Sequence, residues 1–121
     1  TDCGSMSVLS AQTQAKLQIM MQYIHDNYSG QITLDDIART VLISKSSVLN
    51  IFRTYLHTSP INYVVEYRLK RASKLLVDTE NSVCTIAHET GFENIGYFCR
   101  RFKKLYGVTP IYYRNHCHSA E

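Results

Sequence analysis

Apolar residues recur at helical spacing along most of the chain and nowhere alternate for long enough to make a strand. From about Ala11, the residues Leu17, Met20, Met21 and Ile24 fall three or four apart, as on one face of an amphipathic helix, until Asn27, Ser29 and Gly30 break the pattern. Thr33 and Asp36 open "LDDIARTV", a short helix with Leu34, Ile37, Ala38 and Val41 inward, because side chains at that spacing can satisfy each other's free backbone amides. A third helix runs from about Lys45 to His57 on Val48, Ile51, Phe52 and Tyr55 or Leu56. Ser59-Pro60 opens the fourth, since proline suits a first helical position, where no amide donor is needed. Its period, through Ile61, Val64, Val65, Leu69, Ala72, Leu75 and Leu76, lasts to "VDTENS". Ser82 begins a fifth helix through Thr90, Asn94 caps a sixth that Gly107 ends, and Thr109-Pro110 starts a last one through about Arg114. The expected fold class is all-α. The opening "TDCGSMSVLS" has no period, so residues 1–11 read as a linker or cloning remnant outside the fold.

The chain also repeats itself. Ile37-Ala38 matches Ile86-Ala87 at an offset of 49 and Ile43 matches Phe92; after a one-residue insertion Phe52, Pro60 and Tyr63 match Phe102, Pro110 and Tyr113 at 50. Each copy has a short helix containing Ile-Ala, a tight turn, a longer helix with an inward Phe, and a proline-started helix. That is the layout of a helix-turn-helix, with motif one at 35–56, a linker helix at 60–77 and motif two at 83–106. The alanine permits two helices to cross closely, and Gly91 suits a turn needing positive φ. In the first copy that place falls at Leu42, which predicts a differently built turn.

The outward faces of the longer helices suggest chemistry. In residues 95–106, Phe98, Phe102 and Leu105 share one buried stripe, leaving Ile95, Gly96, Cys99, Arg100, Lys103 and Lys104 on the other side, with Arg101 nearer the core. An α-helix fits the major groove, where arginine donates two bonds to guanine, aliphatic carbons pack on thymine methyls and lysines meet phosphate. Gly96 would let the backbone approach base edges. The first copy turns Ser46, Leu49, Asn50 and Arg53 outward, with Lys45 at its start. Asparagine pairs with adenine and serine with several edges; Leu49 either meets methyls or another protein, or is half-buried in the core. The linker helix turns Arg68, Lys70, Arg71 and Lys74 outward, and part of that charge is expected to pair with Glu66 or Asp78.

Charge agrees with this polarity: residues 1–44 carry two cations against four acids, whereas 45–121 carry eleven against six, pointing to a polyanionic partner for the later part. The longest apolar runs are a few residues, which excludes a transmembrane helix, and no basic stretch followed by an apolar segment marks a signal peptide. Cys3, Cys84, Cys99 and Cys117 have no paired spacing, so no metal site, cofactor or disulfide framework is expected, and a cytoplasmic location is.

The segment "IAHETGFENIGYFCRRFKKLYGVTPIYYR", together with "YRLKRASKLL", resembles the DNA-binding domain of the AraC/XylS family of bacterial transcription regulators. The likeness covers about Ala15 to His116, within a domain expected at 12–119, and rests on Ile86, Ala87, Gly91, Phe92, Tyr97, Phe98, Phe102, Lys103, Gly107, Pro110, Tyr113 and Arg114. It implies seven helices forming two homeodomain-like helix-turn-helix subdomains joined by a long linker helix. These would bind double-stranded promoter DNA through recognition helices in successive major grooves. The implied role is transcription regulation as an activator, through contact with RNA polymerase. The implied base-reading positions are Ser46, Leu49 and Asn50, then Ile95, Gly96, Cys99 and Arg100; Lys45, Arg53, Asn94, Lys103 and Lys104 are the expected phosphate contacts. Three residues depart from the pattern: Asn50 stands where arginine is frequent, Val48 where leucine is usual, and His57 where glycine commonly ends the helix. The first reader is therefore expected to bind bases weakly. Such regulators usually carry a sensing or dimerisation domain, expected to be missing from this chain: it reads either as an excised C-terminal domain or as one of the small stand-alone members, and "TDCGSMSVLS" favours excision.

Two rival readings follow from other residues. Cys84 and His88 lie four apart on a helix and "HCH" ends the chain at 116–118, the makings of a metal or thiol site, although Cys84 is expected on an apolar stripe beside Ile86 and Ala87. Cys99 in a DNA-facing surface could act as a redox switch. A protein-binding helical module without a DNA role is the other rival. No catalytic residues are expected.

Overall fold

The structure is a computed structural model that describes residues 2–117, with side chains described for 11–116. Among the described residues there are seven α-helices and no strand: α1 (Asp2–Asn27), α2 (Leu34–Thr40), α3 (Lys45–Leu56), α4 (Pro60–Asp78), α5 (Val83–Glu89), α6 (Ile95–Tyr106) and α7 (Pro110–Tyr112), the last running on into a π-helical segment, Tyr113–Cys117. The expected starts of α2, α3, α4 and α6 are met. The first helix instead begins at Asp2, well before the apolar stripe that marked it from about Ala11. No helix among the described residues is long and apolar enough to cross a membrane.

The chain divides into two compact units, with the boundary inside α4 between Val64 and Val65. Unit one takes Leu17, Met20 and Ile24 of α1, Ile37 and Ala38 of α2, Val48 and Phe52 of α3, and Val64 into one core. Met20, Ile24, Ile37, Val48 and Phe52 are wholly buried, so the stripes read at period 3.6 are the faces that leave water. Thr33 closes the reciprocal cap: its hydroxyl accepts from Asp36 N at 3.1 Å while its own N–H donates to Asp36 Oδ2 at 3.0 Å. That cap holds the Asp36 carboxyl below its usual pKa, chiefly through the backbone bond.

Unit two repeats the plan. Leu69, Ala72 and Leu76 of α4 meet Ile86 and Ala87 of α5, then Phe92, Phe98 and Phe102. An aromatic chain continues from Phe98 through Phe102 to Tyr106 and Tyr113, with centroids 4.6–5.8 Å apart. The buried stripe of α6 ends on Tyr106, not on Leu105, which is 39% exposed. At 100° per residue Leu105 falls to one side of the Phe98–Phe102 midline, the side away from Cys99 and Tyr106, which pack on the core. Tyr106 donates from its hydroxyl to Ser73 Oγ at 3.1 Å, so the half-buried ring has its polar end satisfied.

Arg68 does not belong to an outward cationic face. It is half-buried, donating from Nε to Tyr28 O and from Nη2 to Gly30 O, both at 2.7 Å, so it pins the Tyr28–Gln31 segment to unit two. Arg71 is exposed with its guanidinium 5.8 Å from the Tyr28 ring, and Lys70 and Lys74 are exposed. Arg114 donates to Leu76 O and Thr79 O, at 2.9 and 3.2 Å, satisfying carbonyls at the end of α4.

The turns of the two units share a left-handed residue and one hydrogen bond and differ in a second. In unit two Gly91 has φ +98°, with Gly91 N bonding His88 O and Phe92 N bonding Ala87 O. Leu42 has φ +56°, with Val41 N and Ile43 N both bonding Ala38 O. The first turn is thus built differently only in that second bond, and the positive φ is kept: leucine accepts the left-handed conformation, and its side chain, 90% exposed, has room to do so.

Candidate nucleic-acid interface

Each candidate reader is a 12-residue helix with the same start and stop. Ser44 and Asn94, both extended, accept from the backbone N–H three residues on, Ser47 N at 3.2 Å and Tyr97 N at 2.8 Å. His57 and Gly107 end the helices in the left-handed conformation, at φ +57° and +81°, each donating its N–H to the carbonyl four residues back. Histidine thus takes the conformation that glycine commonly supplies.

Between those ends most of the residues read as outward are exposed, and Gly96 and Cys99 are the exceptions. In α3, Val48 and Phe52 are buried while Lys45, Ser46, Leu49, Asn50 and Arg53 are exposed, Leu49 at 40%. Lys45 lies 3.4 Å from Asp35 in an exposed ion pair, so part of its charge is already answered within unit one. In α6, Phe98 and Phe102 are buried while Asn94, Ile95, Arg100, Lys103 and Lys104 are exposed, Ile95 at 41%. Gly96 and Cys99 are half-buried. Arg100 lies back along the helix: a Cβ on Gly96 would stand 3.5 Å from Arg100 Nη1 and a tight 3.2 Å from Asn94 Oδ1. The Asn94 side chain serves the helix cap. Arg101, half-buried as its position near the core suggested, donates from Nη1 to the Tyr97 hydroxyl at 3.2 Å and lies 5.9 Å from that ring.

Tyr97 is 37% exposed beside this face and is missing from the candidate contacts. Arg101 four residues on is at a spacing that brings a phenol and a guanidinium together.

The rival chemistry finds less support. Cys84 is exposed, contrary to the apolar stripe expected for it, because on the short α5 the core takes Ile86 and Ala87. No group of three or more potential metal ligands occurs among the described residues. Of "HCH", His116 stacks on Tyr112 at 4.0 Å; the side chains of the other two lie outside the described residues. Burial pushes the Cys99 thiol above its ordinary pKa, opposite to what a reactive thiolate needs.

Comparison with known proteins agrees with this geometry. Residues 37–116 match a family model described as a helix-turn-helix domain. An HTH-type transcriptional regulator of Bacillus subtilis, YdeC, is 31% identical over 99 residues, covering 82% of this chain and 34% of its own. The lactose operon transcription activator of Staphylococcus xylosus is 30% identical, covering 83% of this chain and 36% of its own. The chain thus spans about a third of the length of these relatives. An AraC-type transcriptional regulator from Chromobacterium violaceum superimposes with a TM-score of 0.82 at 31% identity, covering 87% of this chain and 94% of that structure. With the family model spanning both helix-turn-helix units, the chain belongs to the AraC/XylS family of transcription regulators and is a DNA-binding helix-turn-helix domain of that type.

Proposed function

We propose that the chain inserts α3 and α6 into successive major grooves of promoter DNA and activates transcription there. The observation that carries this reading is that two capped helices of equal length each turn a polar, cationic face to solvent opposite a buried Phe. Ser46, Leu49 and Asn50, with Ile95, Gly96, Cys99 and Arg100, are assigned to base edges; Lys45, Arg53, Asn94, Lys103 and Lys104 are assigned to phosphate. The presence of one such helix in each of the two units supports the two-groove reading. The Staphylococcus xylosus relative, named an activator, supports activation, and contact with RNA polymerase is the route we assign to it. The relatives' greater length supports a full-length regulator with a separate sensing or dimerisation domain; to that regulator we assign a bacterial cytoplasm and a role of binding without catalysis.

Titration of labelled promoter duplexes at several salt concentrations tests the reading. Affinity is expected to fall steeply as salt rises, because bound lysines and arginines release condensed counterions. Absent binding, or binding indifferent to salt, across a set of promoter fragments would overturn it in favour of a protein-binding module.

A further inference from the structure

The equal caps, lengths and ends of α3 and α6 make their residues comparable one for one at an offset of 50. Ser44 stands on Asn94, Phe52 on Phe102 and His57 on Gly107. In that frame Asn50 and Arg100 occupy the same place, seven residues before the left-handed stop, and both are exposed. Arg53 and Lys103 also share a place, so the flanking positive charge is alike in the two units. The chemistry at the shared reading place is not alike. A carboxamide presents a donor beside an acceptor, which match N7 and the N6 amino group of adenine; a guanidinium offers only donors, which match O6 and N7 of guanine. The place before it differs too: Leu49 is 40% exposed, whereas Cys99 is half-buried against the core.

Resting on the DNA-binding reading above, we infer that the two units read different bases from one register. Unit one selects adenine through Asn50, with a thymine methyl under Leu49, and unit two selects guanine through Arg100. The target is thus a pair of unlike half-sites, A·T at the first reading place and G·C at the second. Asn50 and Arg100 set that difference, not the backbone frame.

Selection from a randomised duplex library by the 121-residue chain, followed by the same selection with Asn50→Arg and with Arg100→Asn, tests this. The wild type should enrich one half-site with adenine and one with guanine. Asn50→Arg should turn the adenine to guanine, and Arg100→Asn should turn the guanine to adenine, each with a preference of about tenfold or more on the re-made duplexes. Both side chains are exposed, and circular dichroism should show unchanged helicity in the variants. Replacing the selected thymine by deoxyuridine should weaken the wild type and leave Leu49→Ala unaffected. Guanine in both wild-type half-sites, or exchanges that leave the selected bases unaltered, would overturn the inference while DNA binding stands. A library from which the wild type enriches nothing would fail the DNA-binding reading itself.

Discussion

Leu42 and Gly91 hold the same left-handed turn by different means, and their surroundings decide what substitution does. At Gly91 an added Cβ would lie 2.8 Å from both Arg68 Nε and Tyr28 O, the groups that pin the 28–31 segment. Gly91→Ala therefore combines an unfavourable φ with a backbone collision, and should cost more than about 1 kcal/mol in urea unfolding. Leu42, 90% exposed, meets no such barrier but carries the conformational cost of a Cβ at φ +56°. Leu42→Gly removes about 1–2 kcal/mol of that cost and loses part of the gain to the entropy of the glycine chain, so a net rise of about 0.5–1 kcal/mol is expected. A lower unfolding midpoint for Leu42→Gly would contradict this account of the turn. Sequence alone could not show it, because a leucine gives no local sign of positive φ, whereas a glycine does.

Helices were legible wherever an apolar stripe met a capping residue, which is why α2 through α6 lie close to their expected bounds. The start of α1 was not, since Asp2 to Ser10 has no apolar period to reveal a helix. Arg68 was misplaced for another reason: its partners lie 38 and 40 residues away, and helical spacing says only which face a side chain starts from. The exposed faces of α3 and α6 were largely legible because a buried Phe fixes the opposite side. A second distant pair joins α1 to the start of α4, where the ring Nε2 of His25 and the hydroxyl of Tyr63 are 2.8 Å apart. Burial holds the His25 imidazole below its ordinary pKa, outweighing the raising effect of Asp26. The unfolded chain then binds a proton before the folded one does, so this site's contribution is present above the ordinary value of about 6.5 and is lost as pH falls from there towards the lower folded value. Thermal midpoints should decline from pH 7.5 to 5.5 in the wild type and less steeply in His25→Gln. An imidazole that titrates above 6.5 by NMR would reverse the sign.

At the scale of the whole molecule, net charge is only +3, so the affinity for DNA has to come from where the cations stand. Lys45, Arg53, Lys103 and Lys104 are exposed on the reader helices, and Lys45 alone among these has an exposed ion pair, to Asp35. With about 0.9 counterions released per phosphate neutralised, engagement of all four gives a slope of log affinity against log salt of about −3 to −4. Lys103→Ala should reduce that slope by about one and weaken every duplex alike. Lys45→Ala should change it less, because a lysine that leaves Asp35 to meet phosphate exchanges one anion for another. Arg100→Ala should behave differently, losing about 1–3 kcal/mol on the selected site and little on scrambled DNA, since its donors match a base edge. Equal loss on all sequences for Arg100→Ala would place its guanidinium on phosphate, and an unchanged slope for Lys103→Ala would remove α6's last turn from the backbone contact.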